Sequence, residues 1–240
     1  MATYIIADIH GDLASFQKMM QIIQFNDEVD YLIVDGDVLD RGEHGIEILF
    51  RVKEMVEKGC ALMIKGNHEL FAQMYMEGLL SEKEWTRFYG EATLDSLKKL
   101  DEEKREELLG FIKSLPLYIE RETPLHKATV ITHTGLMDDY LVTKSDDGID
   151  VIASIEKAAV KDEYSLLISA DIHYWGREQL RRLDKFIICG HVPTYQLGPE
   201  YTGKVLETRA YLNIDAGAGY REQGGRLACY RCEDGKAFYI

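Results

Sequence analysis

Short apolar runs alternate with amphipathic stretches through the first third of the chain. The runs TYIIA (3–7), YLIVD (31–35) and ALMIK (61–65) are brief and rich in β-branched and aromatic residues, so they read as strands. Between them, LASFQKMMQII (13–23) and GIEILFRVKEMVEK (45–58) repeat apolar positions at helical spacing. This βαβαβ alternation predicts a parallel sheet with crossover helices. From about Leu70 to Ile119 the period becomes helical and charge-rich, predicting two to four helices ended by Pro116.

Strand patterns return in ATVIT (128–132) and KFIIC (185–189). Between these lie a polar turn, KSDDGID (144–150), and a helical stretch, VIASIEKAAVKDEYSLL (151–167). The last forty residues or so predict three or four antiparallel strands. No repeat or linker interrupts the chain, so residues 1–240 are expected to form one domain, with the helical segment of about 70–119 inside it.

A formal net charge of −14 argues against non-specific binding to nucleic acid or anionic lipid. A phosphate-bearing substrate would have to be held by local positive charge, from metals or a few arginines. The start, MATYIIADIHG, lacks the basic and apolar regions of a secretory signal. No apolar run approaches the ~18–20 residues of a membrane span. The expected location is the cytoplasm. Cys60 and Cys189 sit in or beside apolar runs and read as small hydrophobes. Cys229 and Cys232 form a C-x-x-C, but an offset of three on a strand puts the thiols on opposite faces, and no second pair completes a zinc site.

The chemistry gathers where strands end. TYIIA is followed by Asp8 and His10; YLIVD by Asp37, Asp40 and Arg41; ALMIK by Asn67, His68 and Glu69; ATVIT by His133; KFIIC by His191. In an open α/β sheet the carboxyl ends of parallel strands face one crevice, so these groups are expected to converge. Asp8, Asp37 and Asp40, the imidazoles of His10, His133 and His191, and the Asn67 amide make an oxygen and nitrogen donor set without thiolate. Such a set suits Mn²⁺, Fe or Zn²⁺. Seven candidates exceed the needs of one ion and point to two sharing a carboxylate, a pair that would fit in-line displacement at phosphorus.

In order, ADIHG, GDVLDRG, GNHE, HTGL and GHVPT resemble the motif series of the phosphoprotein phosphatase branch of the calcineurin-like metallophosphoesterases. The likeness runs almost from end to end and is to the compact bacterial and phage members, which include serine/threonine phosphatases and symmetrical diadenosine tetraphosphatases. It implies a mixed α/β fold, a β-sandwich flanked by helices with a helical insert. It implies two divalent ions, with Mn²⁺ the first expectation. Asp8, His10 and Asp37 would hold one, and Asp37, Asn67, His133 and His191 the other. Attack would come from a metal-bridging hydroxide. His68 would be the general acid, oriented by Asp40, while Arg41 and Asn67 would contact the phosphate and Glu69 would orient rather than ligate. Arg177, in WGRE, is the candidate for a second phosphate-binding arginine; a surface ion pair is the other reading.

Three positions depart from the family pattern. Ala7 replaces a glycine, Phe88-Tyr89-Gly90 stands where many relatives have Asn-Gly-Gly, and Val192 replaces a threonine. The second of these predicts an altered substrate rim. Asp215 reads as a turn residue, and His44, His126 and His173 as ordinary loop or surface residues. The expected activity is that of a phosphomonoesterase, a serine/threonine protein phosphatase, acting on a phosphoprotein or a small phosphate ester. The alternatives are symmetrical dinucleoside tetraphosphate hydrolysis and a non-catalytic scaffold, the latter disfavoured because the acid and every ligand are present. Phosphodiesterase or nuclease activity is disfavoured by the acidic charge.

Overall fold

The computed structural model of the chain describes residues 1–240. The first strands and helices follow the apolar pattern closely: β1 (Thr3–Ile6), α1 (Leu13–Ile22), β2 (Tyr31–Asp35), α2 (Gly45–Lys58) and β3 (Ala61–Ile64). Asp12 caps α1 by accepting the Ser15 N–H at 3.0 Å, and Gly59 ends α2 in the left-handed region, φ 81°. Four helices follow: α3 (Asn67–Met76), α4 (Glu82–Trp85), α5 (Glu91–Leu97) and α6 (Glu102–Ser114). The helical segment therefore starts at Asn67 rather than Leu70. It stops before Pro116, because Tyr118 and Ile119 belong to a strand, β4 (Tyr118–Arg121). The rest comprises β5 (Thr129–Thr132), α7 (Val151–Ile168), the single turn α8 (Arg177–Leu180), β6 (Phe186–Cys189), β7 (Leu206–Glu207), β8 (Tyr211–Asn213), β9 (Ala228–Arg231) and β10 (Lys236–Tyr239).

The strands form two five-stranded mixed sheets, ordered β10-β9-β1-β2-β3 and β4-β5-β6-β8-β7. They face each other across a layer that includes Ile5, Ile33 and Ile64 from one sheet and Ile131, Ile188 and Leu212 from the other. Alternation along each strand sends the neighbouring residues outward. Tyr4, Ile6, Leu32 and Val34 pack under α1, α2 and the helical segment, while Val130, Ile187 and Cys189 pack under α7. Cys229 accordingly joins the helix-facing core and Cys232 the inter-sheet layer, on opposite sides as the spacing predicts.

Two expectations are corrected here. The C-terminal strands are not one antiparallel set: β9 and β10 extend the first sheet, and β8 pairs in parallel with β6 in the second. The motif-bearing strand ends do not lie on one open sheet either. Strands β1, β2 and β3 run parallel in the first sheet and β5, β6 and β8 in the second. Both parallel sets open toward one crevice. No helix is long and apolar enough to cross a membrane.

Candidate metal centre

The loops leaving β1, β2 and β6 turn by placing non-glycine residues in the left-handed region. Asp8, His10, Asp37, Asp40, Arg41 and His191 have φ between 48° and 69°, and only three other non-glycine residues in the chain do so. L-residues adopt this conformation at a cost, and its concentration here marks a site held by its surroundings. One clamp is Glu69, fully buried in the first turn of α3. Its carboxylate accepts the N–H groups of Gly66 (3.0 Å), Asp37 (2.8 Å) and Val38 (2.9 Å). Glu69 thus fastens the β2 loop to α3, the orienting role expected of it. Burial, then the charge of Asp37, pushes its carboxyl up to about 7.

Asp37 is the hub. Its Oδ1 accepts the His68 N–H at 3.0 Å, while Oδ2 lies 3.2 Å from His133 Nε2. Donor atoms gather into two groups, His10–Asp37–His68 and Asp37–His133–His191, each within 4.8 Å. The shared carboxylate matches the demand for a bridging ligand. Asn67 Oδ1 sits 3.2 Å from His133 Nε2 and 2.9 Å from His191 Nδ1, so the amide joins the second group. Backbone carbonyls orient two of the rings: His10 Nδ1–H donates to Leu39 O at 3.0 Å and His133 Nδ1–H to Asp35 O at 2.9 Å. Both therefore present Nε2 to the crevice, as metal-binding histidines do. The donor chemistry and convergence fit two divalent cations.

Charges within the protein partly balance one another. Burial opposes ionisation of Asp37, but His133 and His68 overcome it and hold the carboxyl well below its usual range. Burial likewise opposes charge on His133, yet Asp37 raises it well above the ordinary imidazole value. His191 is pushed down to about 3 by burial and by His133, and His10 falls by burial and by His68. Neutral imidazoles are what a metal needs. Asp8 is raised well above its usual value by burial and by Asp215. Its two carboxylate oxygens both lie 3.1 Å from the His191 nitrogen, and it falls outside both donor groups, although it was expected to join His10 and Asp37. Asp215 accepts the Gly217 N–H at 2.9 Å, the turn role expected of it.

His68 is held from behind. Its Nδ1 lies 2.6 Å from Asp40 Oδ2, which also accepts the indole N–H of Trp85 at 2.8 Å. The Asp40 N–H donates to Thr93 Oγ1 at 3.0 Å. Burial opposes protonation of His68, but Asp37 and Asp40 outweigh it and raise its pKa. Trp85 and Thr93 escape sequence inspection because they lie in the charged helical segment, 45 and 53 residues from Asp40. The one visible signal is a tryptophan in an otherwise polar stretch.

The crevice has a volume of about 360 Å³. Arg41 lies on its floor between two rings, its guanidinium 4.8 Å from the Tyr89 centroid and 4.3 Å from that of Tyr220. Phe88, Tyr89, Tyr164 and Tyr174 line the opening with Arg87 and Val192. The Phe-Tyr departure therefore does lie at the rim. Arg177 does not: it lines a separate cavity beside α8, and Arg87 is the second arginine of the crevice. One histidine also differs from expectation. His173 is packed against Tyr211 with both ring nitrogens unpartnered, and burial pushes it down to about 4. His126 stacks on Phe186 at 3.6 Å. His126 lies in the loop before β5 and His44 at the surface, 3.6 Å from Glu47, as anticipated for both.

Comparison with known proteins gives a consistent picture. Residues 1–216 match the family model described as calcineurin-like phosphoesterase. A symmetrical bis(5'-nucleosyl)-tetraphosphatase of Methylobacillus flagellatus is 28% identical over 181 residues, covering 75% of this chain and 58% of the relative. The chain thus spans a little over half the length of that curated relative. Among solved structures, a candidate diadenosine tetraphosphatase superposes with a TM-score of 0.62 at 16% identity, covering 100% of this chain and 92% of the other. A serine/threonine phosphatase from Saccharomyces cerevisiae gives 0.60 at 18% identity, with coverage of 96% and 72%. At such identities the superpositions speak to fold alone.

Proposed function

The chain belongs to the calcineurin-like phosphoesterase family, and from that premise we propose that it is a two-metal hydrolase of dinucleoside polyphosphates. The observation that carries this reading is the rim. All four exposed aromatic side chains of the molecule, Phe88, Tyr89, Tyr164 and Tyr174, line the metal crevice. Water-exposed rings grouped at one opening suit a ligand that brings its own π-faces, and base–aromatic stacking contributes roughly 1–3 kcal/mol per base. A dinucleotide carries two bases and a polyphosphate between them. The names of the curated relatives point the same way. The serine/threonine phosphatase expected first from the motifs uses the same centre, but nothing at this rim favours a phosphopeptide.

In this proposal His10, Asp37, Asn67, His133 and His191 would hold two divalent cations, with Asp37 contributing to both and Asp8 completing the set. When bound, such ions supply Lewis acidity at phosphoryl oxygens and lower the pKa of water. The protein's own groups do the rest. Arg41, fixed between Tyr89 and Tyr220, binds phosphate oxygens as a planar donor. His68 presents Nε2 to the crevice because Asp40 occupies Nδ1. From Nε2 it donates a proton to the oxygen that leaves phosphorus. Water adds across a P–O–P linkage, one phosphorus gaining OH and the leaving oxygen gaining the proton. Cleavage at the central linkage of diadenosine tetraphosphate gives two molecules of ADP.

The test is hydrolysis by metal-stripped protein re-supplied with Mn²⁺, offered diadenosine tetraphosphate and a phosphoserine peptide in parallel. ADP as the sole nucleotide product, at a kcat/KM well above that for the peptide, is the expected outcome. Efficient phosphate release from the peptide with an intact dinucleotide would overturn the proposal.

A further inference from the structure

A cavity larger than the metal crevice lies elsewhere in the molecule. It has a volume of about 700 Å³ and lies at the opposite end of the second sheet. His133 and His191 follow the ends of β5 and β6. This cavity is lined instead by residues at or before the starts of the same parallel strands: His126 before β5, Phe186 opening β6 and Ala210 before β8. A four-residue strand at about 3.3 Å per residue separates the two sites by roughly 13 Å.

The charge of this cavity runs against that of the whole. In a chain of formal charge −14, it gathers Arg177, Arg181, Lys185 and Arg209, with Asp184 its one carboxylate. Asp184 is already engaged, 2.6 Å from Lys144 Nζ and accepting the Val151 N–H at 3.0 Å. Lys185 approaches Asp184 and Glu120 only at 3.8 and 3.9 Å. Arg181 pairs with Glu178 where both are exposed, a contact worth little. Arg177 and Arg209 make no ion pair. Arg177 and Arg209 thus stand without a counter-charge beside two weakly paired cations, and an anion relieves the repulsion among the four. His126 adds an imidazole whose buried Nε2 has no partner.

We propose that this cavity is a second, non-catalytic site that binds an oligophosphate. Four cations and about 700 Å³ exceed what one phosphate group can neutralise or fill. A chain of two or three phosphoryl groups, free or carried by a nucleoside, matches both the charge and the space.

The experiment is calorimetric titration of the metal-loaded protein with β,γ-imido-ATP and with inorganic tripolyphosphate. Wild type is compared with the double variant Arg209→Glu/Lys185→Glu. Wild type should show one more binding event per chain than the variant, or an affinity at least tenfold higher for that event. Hydrolysis of p-nitrophenyl phosphate should be unchanged. Tighter binding of the imido nucleotide would identify a nucleotide site, and equal or tighter binding of tripolyphosphate an inorganic oligophosphate site. If charge reversal perturbs folding, Arg209→Gln/Arg181→Gln should still weaken the event about threefold or more. Identical isotherms for wild type and a folded variant would overturn the proposal.

Discussion

Asp40 Oδ2 stands 2.6 Å from His68 Nδ1 and 2.8 Å from the indole nitrogen of Trp85, so one carboxylate oxygen serves the imidazole and the tryptophan together. The indole N–H fixes the carboxylate, and the carboxylate fixes the ring. Asp40→Asn should lower kcat by about 10²-fold, within the range that general acid catalysis contributes. Trp85→Phe leaves the carboxylate in place but removes one hydrogen bond to it. It should reduce kcat several-fold and stability by about 1–2 kcal/mol. Steady-state kinetics with urea unfolding checks both. An Asp40→Asn enzyme with wild-type kcat would remove Asp40 from the acid's machinery.

His68 and Asp37 are predicted to fail differently. Asp37 belongs to both donor groups, so Asp37→Asn should lose metal and activity together, with fewer than two ions per chain by elemental analysis. His68→Asn should lose turnover while keeping both ions. The second result is discriminating because His68 also lies in the His10–Asp37 donor group. Loss of one ion on His68→Asn would make it a ligand rather than an acid.

Truncating the rim should separate base recognition from phosphate chemistry. Tyr89→Ala and Tyr174→Ala remove exposed rings from the crevice opening. Each should raise KM for diadenosine tetraphosphate roughly tenfold, consistent with about 1–3 kcal/mol per stacked base. Kinetics on p-nitrophenyl phosphate should change much less for Tyr174→Ala. For Tyr89→Ala a modest effect is expected there as well, because Tyr89 also supports Arg41. Equal losses on both substrates would exclude base stacking.

His173 gives the fold an acid-sensitive element outside the two donor groups. Burial holds its folded pKa at about 4, below the ordinary value of 6.5. The unfolded chain therefore takes up the proton first. The stability conferred by keeping the ring neutral is fully present above about pH 6.5 and is lost as pH falls toward 4. At pH 5 this amounts to on the order of 1–2 kcal/mol. His173→Phe keeps the packing against Tyr211 and removes the titration. Urea unfolding of metal-stripped protein at pH 5 and 7 should show a smaller difference for the variant. An unchanged difference would assign the acid sensitivity elsewhere.

The sequence by itself determined which groups gather in most of the candidate metal centre, because the information there is local. Each of Asp8, His10, Asp37, Asn67, His133 and His191 stands just past a short apolar run. Parallel pairing then brings those run ends together within each sheet, and the packing of the two sheets turns both sets toward one crevice. The same locality made the cysteine pair readable, since face alternation is a property of the strand alone. Tertiary structure decided everything that depends on which side chains meet across the fold. The motif strands divide between two sheets, with an inter-sheet layer including Ile33 and Ile188, and alternation alone does not say which partner sheet a face will meet. Trp85 reaches Asp40 only because the helical segment folds back over the β2 loop. Arg177 and Arg87 are both arginines in helical surroundings. Only the packing of α8 against the second sheet, and of the helical segment against the crevice, places one at the distal cavity and the other at the crevice.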